Sequence, residues 1–484
     1  MAADTPIAKF DALMNAKRYE AAADLAKGLR TRQPRNGQWW YACARAAFAI
    51  GNIRIAFDEI AQAAKLLPDD PAIALQQAII DHRLGHTETA LTRLRALVAR
   101  GSRLDSEATV VLADVLSRSN QQAELDALLA RGGAWTNDPR AQLFVARRLK
   151  EKDPAGSIAM FERILRSDVA SHIRRIAGFE AVRMLDATGQ YRAAYDLALE
   201  THRSTGSTFD VGSLEHQVEA QRQLLARSNW LGTRRVPEVR GVSIVVALPR
   251  SGTTLIEQMF DRHPAITGIG EYEGVRSLGE SALSSGHWPH ELASTPAATV
   301  QSWQDSYVTG ATFLRRPDAT WSFDKTLHAW RWLPVIALAL PGAVLIAIDR
   351  DPRDTAVSSL LGNFHPVASG WTSSIDSIRR VIAAHRSILP EMLDRVGLSH
   401  EALVYENFID DPRGHSEKCF ARLGLPMDEA TLSPEKNTRM VLTRSHEQVR
   451  KPINRGSIGR WRNYEWAFDD SWRDLVAAHD ARRA

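Results

Sequence analysis

Slid along itself by 34 residues, the first part of the chain falls back into register: Pro34 meets Pro68, Gly51 meets Gly85, and Ala22, Ala56 and Ala90 share one column. Those alanines sit in Tyr19-Glu-Ala-Ala, Ile53-Arg-Ile-Ala and Thr87-Glu-Thr-Ala, and Gly189-Gln-Tyr-Arg-Ala-Ala-Tyr repeats the pattern later, its register drifted by two residues. One helix pair cannot bury its own apolar stripe, so a period of this size constrains the segment to a stacked array with small residues where helices touch. Between Gly101 and Lys150 the signal weakens, with Arg131-Gly-Gly and Asn137-Asp-Pro reading as turns, and units there are degenerate. The stretch from about residue 8 to about residue 228 reads as helical and carries no catalytic constellation.

The period resembles the tetratricopeptide repeat, a helix-turn-helix unit with Pro at the turn. That resemblance implies an all-α superhelix whose concave surface suits an extended peptide or a protein partner, as substrate or otherwise, with self-association equally open.

A chain of 484 residues exceeds one ordinary core, and 44% apolar with 24% charged residues is the balance of a soluble globular protein. The net charge of +4 is a slight pull towards anionic ligands, and no dense basic run suggests nucleic acid. Cys43 and Cys419 fit neither a disulfide framework nor a metal-ligand spacing. Met1-Ala-Ala-Asp-Thr-Pro is no secretory signal, and Val335 to Ile348, broken at Pro341-Gly342, falls short of the ~20 residues of a membrane span. A cytoplasmic protein with no membrane span is expected.

Around Gly232-Thr-Arg-Arg-Val-Pro-Glu-Val-Arg-Gly the helical period stops, which divides the chain into residues 1–235 and 236–484. Ser243-Ile-Val-Val-Ala-Leu follows as a buried strand, then Pro249-Arg-Ser-Gly-Thr-Thr, then a helical run from Leu255 to a stop at Pro264. A tight loop between strand and helix presents backbone amides to a phosphate or sulfate. Gly252 permits close approach, while Ser251, Thr253 and Thr254 add hydroxyl donors. The loop lacks the Gly-x-x-x-x-Gly-Lys-Ser/Thr order, so magnesium-centred nucleoside triphosphate chemistry is not indicated. No metal is implied, since no ligand cluster accompanies the motifs.

Ala247-Leu-Pro-Arg-Ser-Gly-Thr-Thr-Leu resembles the first cofactor motif of the sulfotransferase superfamily. The family's second motif, a strand ending in Arg with Ser eight positions later, is matched by Val344-Leu-Ile-Ala-Ile-Asp-Arg350 through Ser358. Leu403-Val-Tyr405-Glu-Asn-Phe resembles a segment whose Tyr lies near adenine, and Ser445 through Trp461 resembles the last loop, ending in Gly-x-Trp. The likeness spans about residues 242 to 470 and is closest to bacterial proteins in which tetratricopeptide repeats precede a sulfotransferase domain, more distantly to protein-tyrosine sulfotransferases. It implies a phosphate-loop α/β domain with a parallel sheet, transferring a sulfuryl group from 3′-phosphoadenosine-5′-phosphosulfate (PAPS) to a hydroxyl.

Carried onto this chain, the resemblance makes Arg250, Ser251, Gly252, Thr253 and Thr254 the loop for the 5′-phosphosulfate, Arg350 and Ser358 the grip on the 3′-phosphate, and Tyr405 the adenine neighbour. In the last loop Ser445 and Arg460 are the cofactor-binding candidates, with Lys451 and Arg455 behind Arg460. Arg250 and Lys325, in Phe323-Asp-Lys325-Thr, are the catalytic cations. Glu271, in Gly270-Glu-Tyr-Glu, is the leading base, with Glu273 in reserve. His328 is a third candidate, one residue farther from the Lys than in cytosolic small-molecule enzymes. Two rivals remain, a repeat scaffold whose domain binds nucleotide without turnover and a kinase using the same loop. The joint retention of Arg250, Lys325, Arg350 and Ser358 tells against the first, the missing P-loop Lys against the second.

Overall fold

The columns of the repeat are where helices touch. In the computed structural model, which describes residues 5–101, 104–227, 229–231, 236–437 and 452–484, Ala22, Ala56 and Ala90 are fully buried. A methyl at these positions lets neighbouring backbones close in. Gly51 and Gly85 follow their helices with φ of 95° and 84°, the left-handed turn that starts the next helix. Lys17, one period before Gly51, and Asn120, just over one period after Gly85, hold the same conformation at 57° and 60°. The turn geometry therefore persists through the stretch where the sequence signal fades.

Packing divides the chain into two compact units, Met1–Asp153 and Pro154–Ala484. The first is helical from Pro6–Asn15 to Pro139–Leu149, with a core that includes Leu91, Leu94, Leu116 and Phe144. In the second, the helices Pro154–Leu165, Ser171–Ala187, Tyr191–Ser204 and Val211–Leu225 precede a five-stranded sheet.

The strands are β1 (Val242–Ala247), β2 (Ile266–Gly270), β3 (Trp321–Asp324), β4 (Val344–Asp349) and β5 (His400–Val404), in the order β2-β3-β1-β4-β5. All neighbours are parallel. β1 is buried along its whole length, as its unbroken apolar run requires of a central parallel strand. Its residue Val245 packs in a core with Ile256, Phe260, Phe323, Ile346 and Phe420. The register pairs Gly270 with Asp324 and Asp349 with Val404, so the residues that follow, Glu271 beside Lys325 and Arg350 beside Tyr405, leave the sheet side by side.

The change of period near residue 236 thus marks where helix gives way to strand, whereas the packing boundary lies at Asp153–Pro154. Helices that the sequence groups with the repeat are bonded into the sheet-bearing unit. Arg175 donates to the Phe364 carbonyl at 2.7 Å, to Thr205 Oγ1 at 2.8 Å and to Ser207 Oγ at 3.0 Å. His202 Nε2 lies 3.0 Å from the Leu360 carbonyl, and burial holds its ring neutral with a pKa of about 4.

Replacing Arg175 by Met strands several buried acceptors at once and is expected to lower unfolding stability by about 3 kcal/mol, read from urea denaturation of the second unit. A fragment beginning at residue 154 should fold, and one beginning at 236 should lose this interface and fail to do so.

Candidate active site

Because every strand runs the same way, all five deliver their next residues to one edge of the sheet. Arg250 follows β1, Glu271 β2, Lys325 β3, Arg350 β4 and Tyr405 β5. This is the edge at which open α/β sheets bind ligands.

After β1 the chain turns through Arg250 and Gly252, both left-handed at φ 70° and 91°, into the helix Thr253–Phe260. For Gly252 the conformation is free, and a Cβ there would stand 2.2 Å from the Tyr405 ring. For Arg250 it costs on the order of 1 kcal/mol, and its carbonyl accepts from Arg350. Ser251, Thr253 and Thr254 are buried at the helix start, where unpaired amides and the helix dipole favour an anion.

Two distant motifs close on this loop. Arg250 Nε donates to Ser358 Oγ at 2.7 Å, from the helix Pro352–Leu360. Arg350 Nη1 donates to the Arg250 carbonyl at 2.7 Å, its Nη2 to the Ser457 carbonyl, and its guanidinium carbon lies 4.7 Å from the centre of the Tyr405 ring. Tyr405 Oη meets Ser457 Oγ at 3.0 Å. Arg350 is buried, and its Nε is sealed from solvent without a hydrogen-bond partner among the described residues. Asp354 accepts the amides of Gly459 and Trp461 at 2.7 and 2.9 Å, tying the last loop to the same corner.

On the other side of β1, Lys325 is almost completely buried and its Nζ donates to Glu271 Oε1 at 2.8 Å. Glu271 is half-exposed, so one end of this ion pair faces solvent. Asp324 lies beneath, fully buried, accepting from Tyr307 Oη at 2.7 Å and from the Thr326 amide at 3.0 Å. Burial outweighs both hydrogen bonds and pushes its pKa up to about 8, so the carboxyl is neutral at pH 7.

The remaining candidates fall differently. Burial, reinforced by Arg331, holds His328 at a pKa of about 4, so the ring is neutral at pH 7 and a weaker base than a free imidazole. Glu273 accepts from Arg276 on its own helix turn. Arg460, expected from the sequence over the nucleotide phosphates, instead pairs with Asp186 on the helix Ser171–Ala187, whose other oxygen accepts from Tyr464 Oη at 2.7 Å. The reason is electrostatic, since Asp186 offers a fixed carboxylate within reach. Arg455 pairs with Asp410 in the same way. Ser445 and Lys451 lie outside the described residues. Ser457, the group from this loop that does meet Arg350 and Tyr405, was passed over because the sequence draws attention to cations, and Asp354 because its role is to bind backbone amides.

Among the described residues no cluster of three or more His, Cys, Asp or Glu has the arrangement of a metal site, and no helix is long and apolar enough to cross a membrane. Both cysteines are free and buried.

Comparison with known proteins adds three findings. Residues 244–429 match the family described as "Sulfotransferase family". A protein of Aquifex aeolicus (strain VF5), described as "Uncharacterized protein", is 25% identical over 323 residues, covering 64% of this chain, which spans 42% of that relative's length. Among solved structures, the "Sulfotransferase Domain from the Curacin Biosynthetic Pathway" is 14% identical and covers 50% of this chain and 98% of its own, with a TM-score of 0.37. The "Sulfotransferase Domain from the Synechococcus PCC 7002 Olefin Synthase" is 17% identical and covers 49% and 98%, with a TM-score of 0.33.

The raised Asp324 carboxyl gives a signed pH dependence. A folded-state pKa above the unfolded value of 3.8 contributes stability that is fully present below about pH 3.8 and is lost as pH rises to about 8. Asp324→Asn, neutral at every pH, is expected to fold and to gain stability relative to the parent across that window, measured by urea titrations at pH 5, 6.5 and 8.

Proposed function

We propose that this chain, whose residues 244–429 match the sulfotransferase family, transfers a sulfuryl group from PAPS to an acceptor hydroxyl. The observation that carries the reading is the closure of the two motifs, with Arg250 bonded to Ser358 and Arg350 bonded to the Arg250 carbonyl. The residues suit such a donor. The buried Nε of Arg350, without a hydrogen-bond partner among the described residues, is a donor available to an anion, and the guanidinium fork matches a phosphate. Arg350 and Ser358 would hold the 3′-phosphate, the loop Arg250–Thr254 the 5′-phosphosulfate, and Tyr405 the adenine.

When bound, PAPS supplies a sulfuryl group already attached to a good leaving phosphate. The protein's work is then positioning and charge stabilisation. Glu271 takes the proton from the acceptor hydroxyl as its oxygen bonds to sulfur, with neutral His328 as the second candidate. Arg250 and Lys325 meet the negative charge that gathers on the phosphate as its bond to sulfur breaks. An ammonium has three donors and Glu271 takes one, so Lys325 can fix the base and face the transferring group together.

For the acceptor we favour a hydroxyl on a protein or peptide. A groove of about 880 Å³ between helices Pro154–Leu165, Ser171–Ala187 and Tyr191–Ser204 has an apolar floor of Ile158, Leu185 and Leu197 and a charged rim that includes Arg166 and Glu200. That form suits an extended chain. The free cysteines accord with a cytoplasmic setting.

Calorimetric titration with 3′-phosphoadenosine-5′-phosphate beside adenosine 5′-phosphate tests the donor. Tight binding that needs the 3′-phosphate and weakens roughly 100-fold in Arg350→Ala, about 2.7 kcal/mol, is expected. Equal affinity for both nucleotides, or none for either, overturns the reading and brings the scaffold alternative forward. Once an acceptor is in hand, Glu271→Gln and Lys325→Met are each expected to lower kcat by about 10²–10³ with labelled sulfuryl donor.

A further inference from the structure

β2 stands at the edge of the sheet, paired with β3 on one flank, and carboxylates answer its other flank. The Gly268 amide donates to Asp261 Oδ1 and the Gly270 amide to Glu257 Oε1, both at 2.8 Å. Both acids are buried and both come from the phosphate-loop helix Thr253–Phe260, Glu257 within it and Asp261 at its C-cap. Four residues of helix rise about 6 Å and two residues of strand about 6.6 Å. Acids one turn apart therefore meet alternate amides of the strand. Each contact satisfies a backbone donor at an open edge and replaces water around a buried carboxylate.

The two acids hold different parts of the strand. Asp261 fixes its body together with Arg316, which donates to Asp261 Oδ1 at 3.0 Å and to the Ile266 carbonyl at 2.6 Å. Glu257 holds its end. The pairing of β2 with β3 slips between Gly268 and Gly270, and Gly270 is left-handed at φ 74°. Its carbonyl accepts the Lys325 amide at 3.0 Å. Gly270 is thus anchored at both of its polar backbone groups, and the next residue is Glu271. These anchors set the direction in which Glu271 leaves the strand to meet Lys325 Nζ at 2.8 Å. Thr253 and Thr254, in the first turn of the same helix, are buried beside the phosphate loop. One helix serves the donor loop with its first turn and the strand of the candidate base with its second.

We propose that Glu257 is a positioning residue for Glu271, fixing the base relative to the phosphate loop through the Gly270 amide and acting on transfer only through Glu271. This rests on the sulfotransferase reading above.

The test uses the full chain with Glu257→Met, Glu257→Asp and Glu257→Gln, each alone and combined with Glu271→Gln. It follows the release of 3′-phosphoadenosine-5′-phosphate from PAPS, with water and with phenol as acceptors, at pH 6, where burial keeps Asp324 neutral. Met removes the acceptor of the Gly270 amide, Asp draws it back by one methylene, and Gln keeps an oxygen in place. Glu257→Met is expected to lower kcat about 10- to 30-fold, Glu257→Asp by less, and Glu257→Gln to stay within about threefold of the parent. Calorimetric affinity for 3′-phosphoadenosine-5′-phosphate should stay within about twofold in all of them, and with Glu271→Gln in place Glu257→Met should cost less than about twofold, because the group it positions is already disabled. The same loss with and without Glu271→Gln, a loss in nucleotide affinity instead of kcat, or a Gln variant as slow as the Met variant overturns the proposal with the donor assignment intact. Should Glu257→Met not fold, Glu257→Asp carries the same comparison, and a kcat equal to the parent's or a loss independent of Glu271 overturns the proposal. A parent that binds no nucleotide, or binds it and releases none from PAPS, removes the reading beneath, and the proposal with it.

Discussion

Arg350 is the interaction on which the rest of the site depends. One guanidinium reaches the carbonyl of Arg250 in the loop after β1, the carbonyl of Ser457 in the last loop and the face of Tyr405 after β5. Three segments far apart in the chain take their positions from it. The strand that presents Arg350 is itself braced, since Arg386 donates to both Asp349 oxygens and to the Arg350 carbonyl, and His479 and Arg482 approach Asp349 from the helix Arg473–Arg483. Burial works to raise the Asp349 carboxyl, but His479, Arg386 and Arg482 overcome it and hold the group well below the usual carboxylate range. That anion in turn anchors the cations around it.

Charge at the sheet edge is distributed unevenly, and the unevenness separates two tasks. Near β1 and β4 two guanidiniums, the Ser358 hydroxyl and the amides of the loop helix gather, with Asp354 taken up by the amides of Gly459 and Trp461. Near β2 and β3 a buried ammonium is matched with a half-exposed carboxylate, above a carboxyl that burial keeps neutral. Were Asp324 ionised it would compete with Glu271 for Lys325. Its neutrality leaves the ammonium directed to the solvent-facing carboxylate, where an acceptor would arrive.

Much of this was legible from local patterns. The alanine column Ala22, Ala56 and Ala90 marks helix contacts because only a small side chain permits them, and β1 reads as a central strand because only burial on both faces tolerates so continuous an apolar run. Arg250, Lys325, Arg350 and Tyr405 could be singled out because each lies in a short local motif that resembles one of the sulfotransferase superfamily. The fate of Arg460 was not legible, since nothing near it in the chain announces Asp186, 274 positions away. Nor was the packing boundary at Asp153–Pro154, because helices 154–225 carry the same local pattern as those before them and differ only in what they touch.

The sequence by itself determined the elements and the chemistry available to them: the helical period, the strand-loop-helix turn, and the short motifs that carry Arg250, Glu271, Lys325, Arg350 and Tyr405. Local propensity and spacing suffice for these, because each is decided within a few residues. Only the tertiary structure decided which charges meet. Register set Glu271 beside Lys325 and Arg350 beside Tyr405, and burial made Asp324 neutral. Pairing and desolvation depend on distance and solvent exclusion, which exist only once the chain has closed on itself.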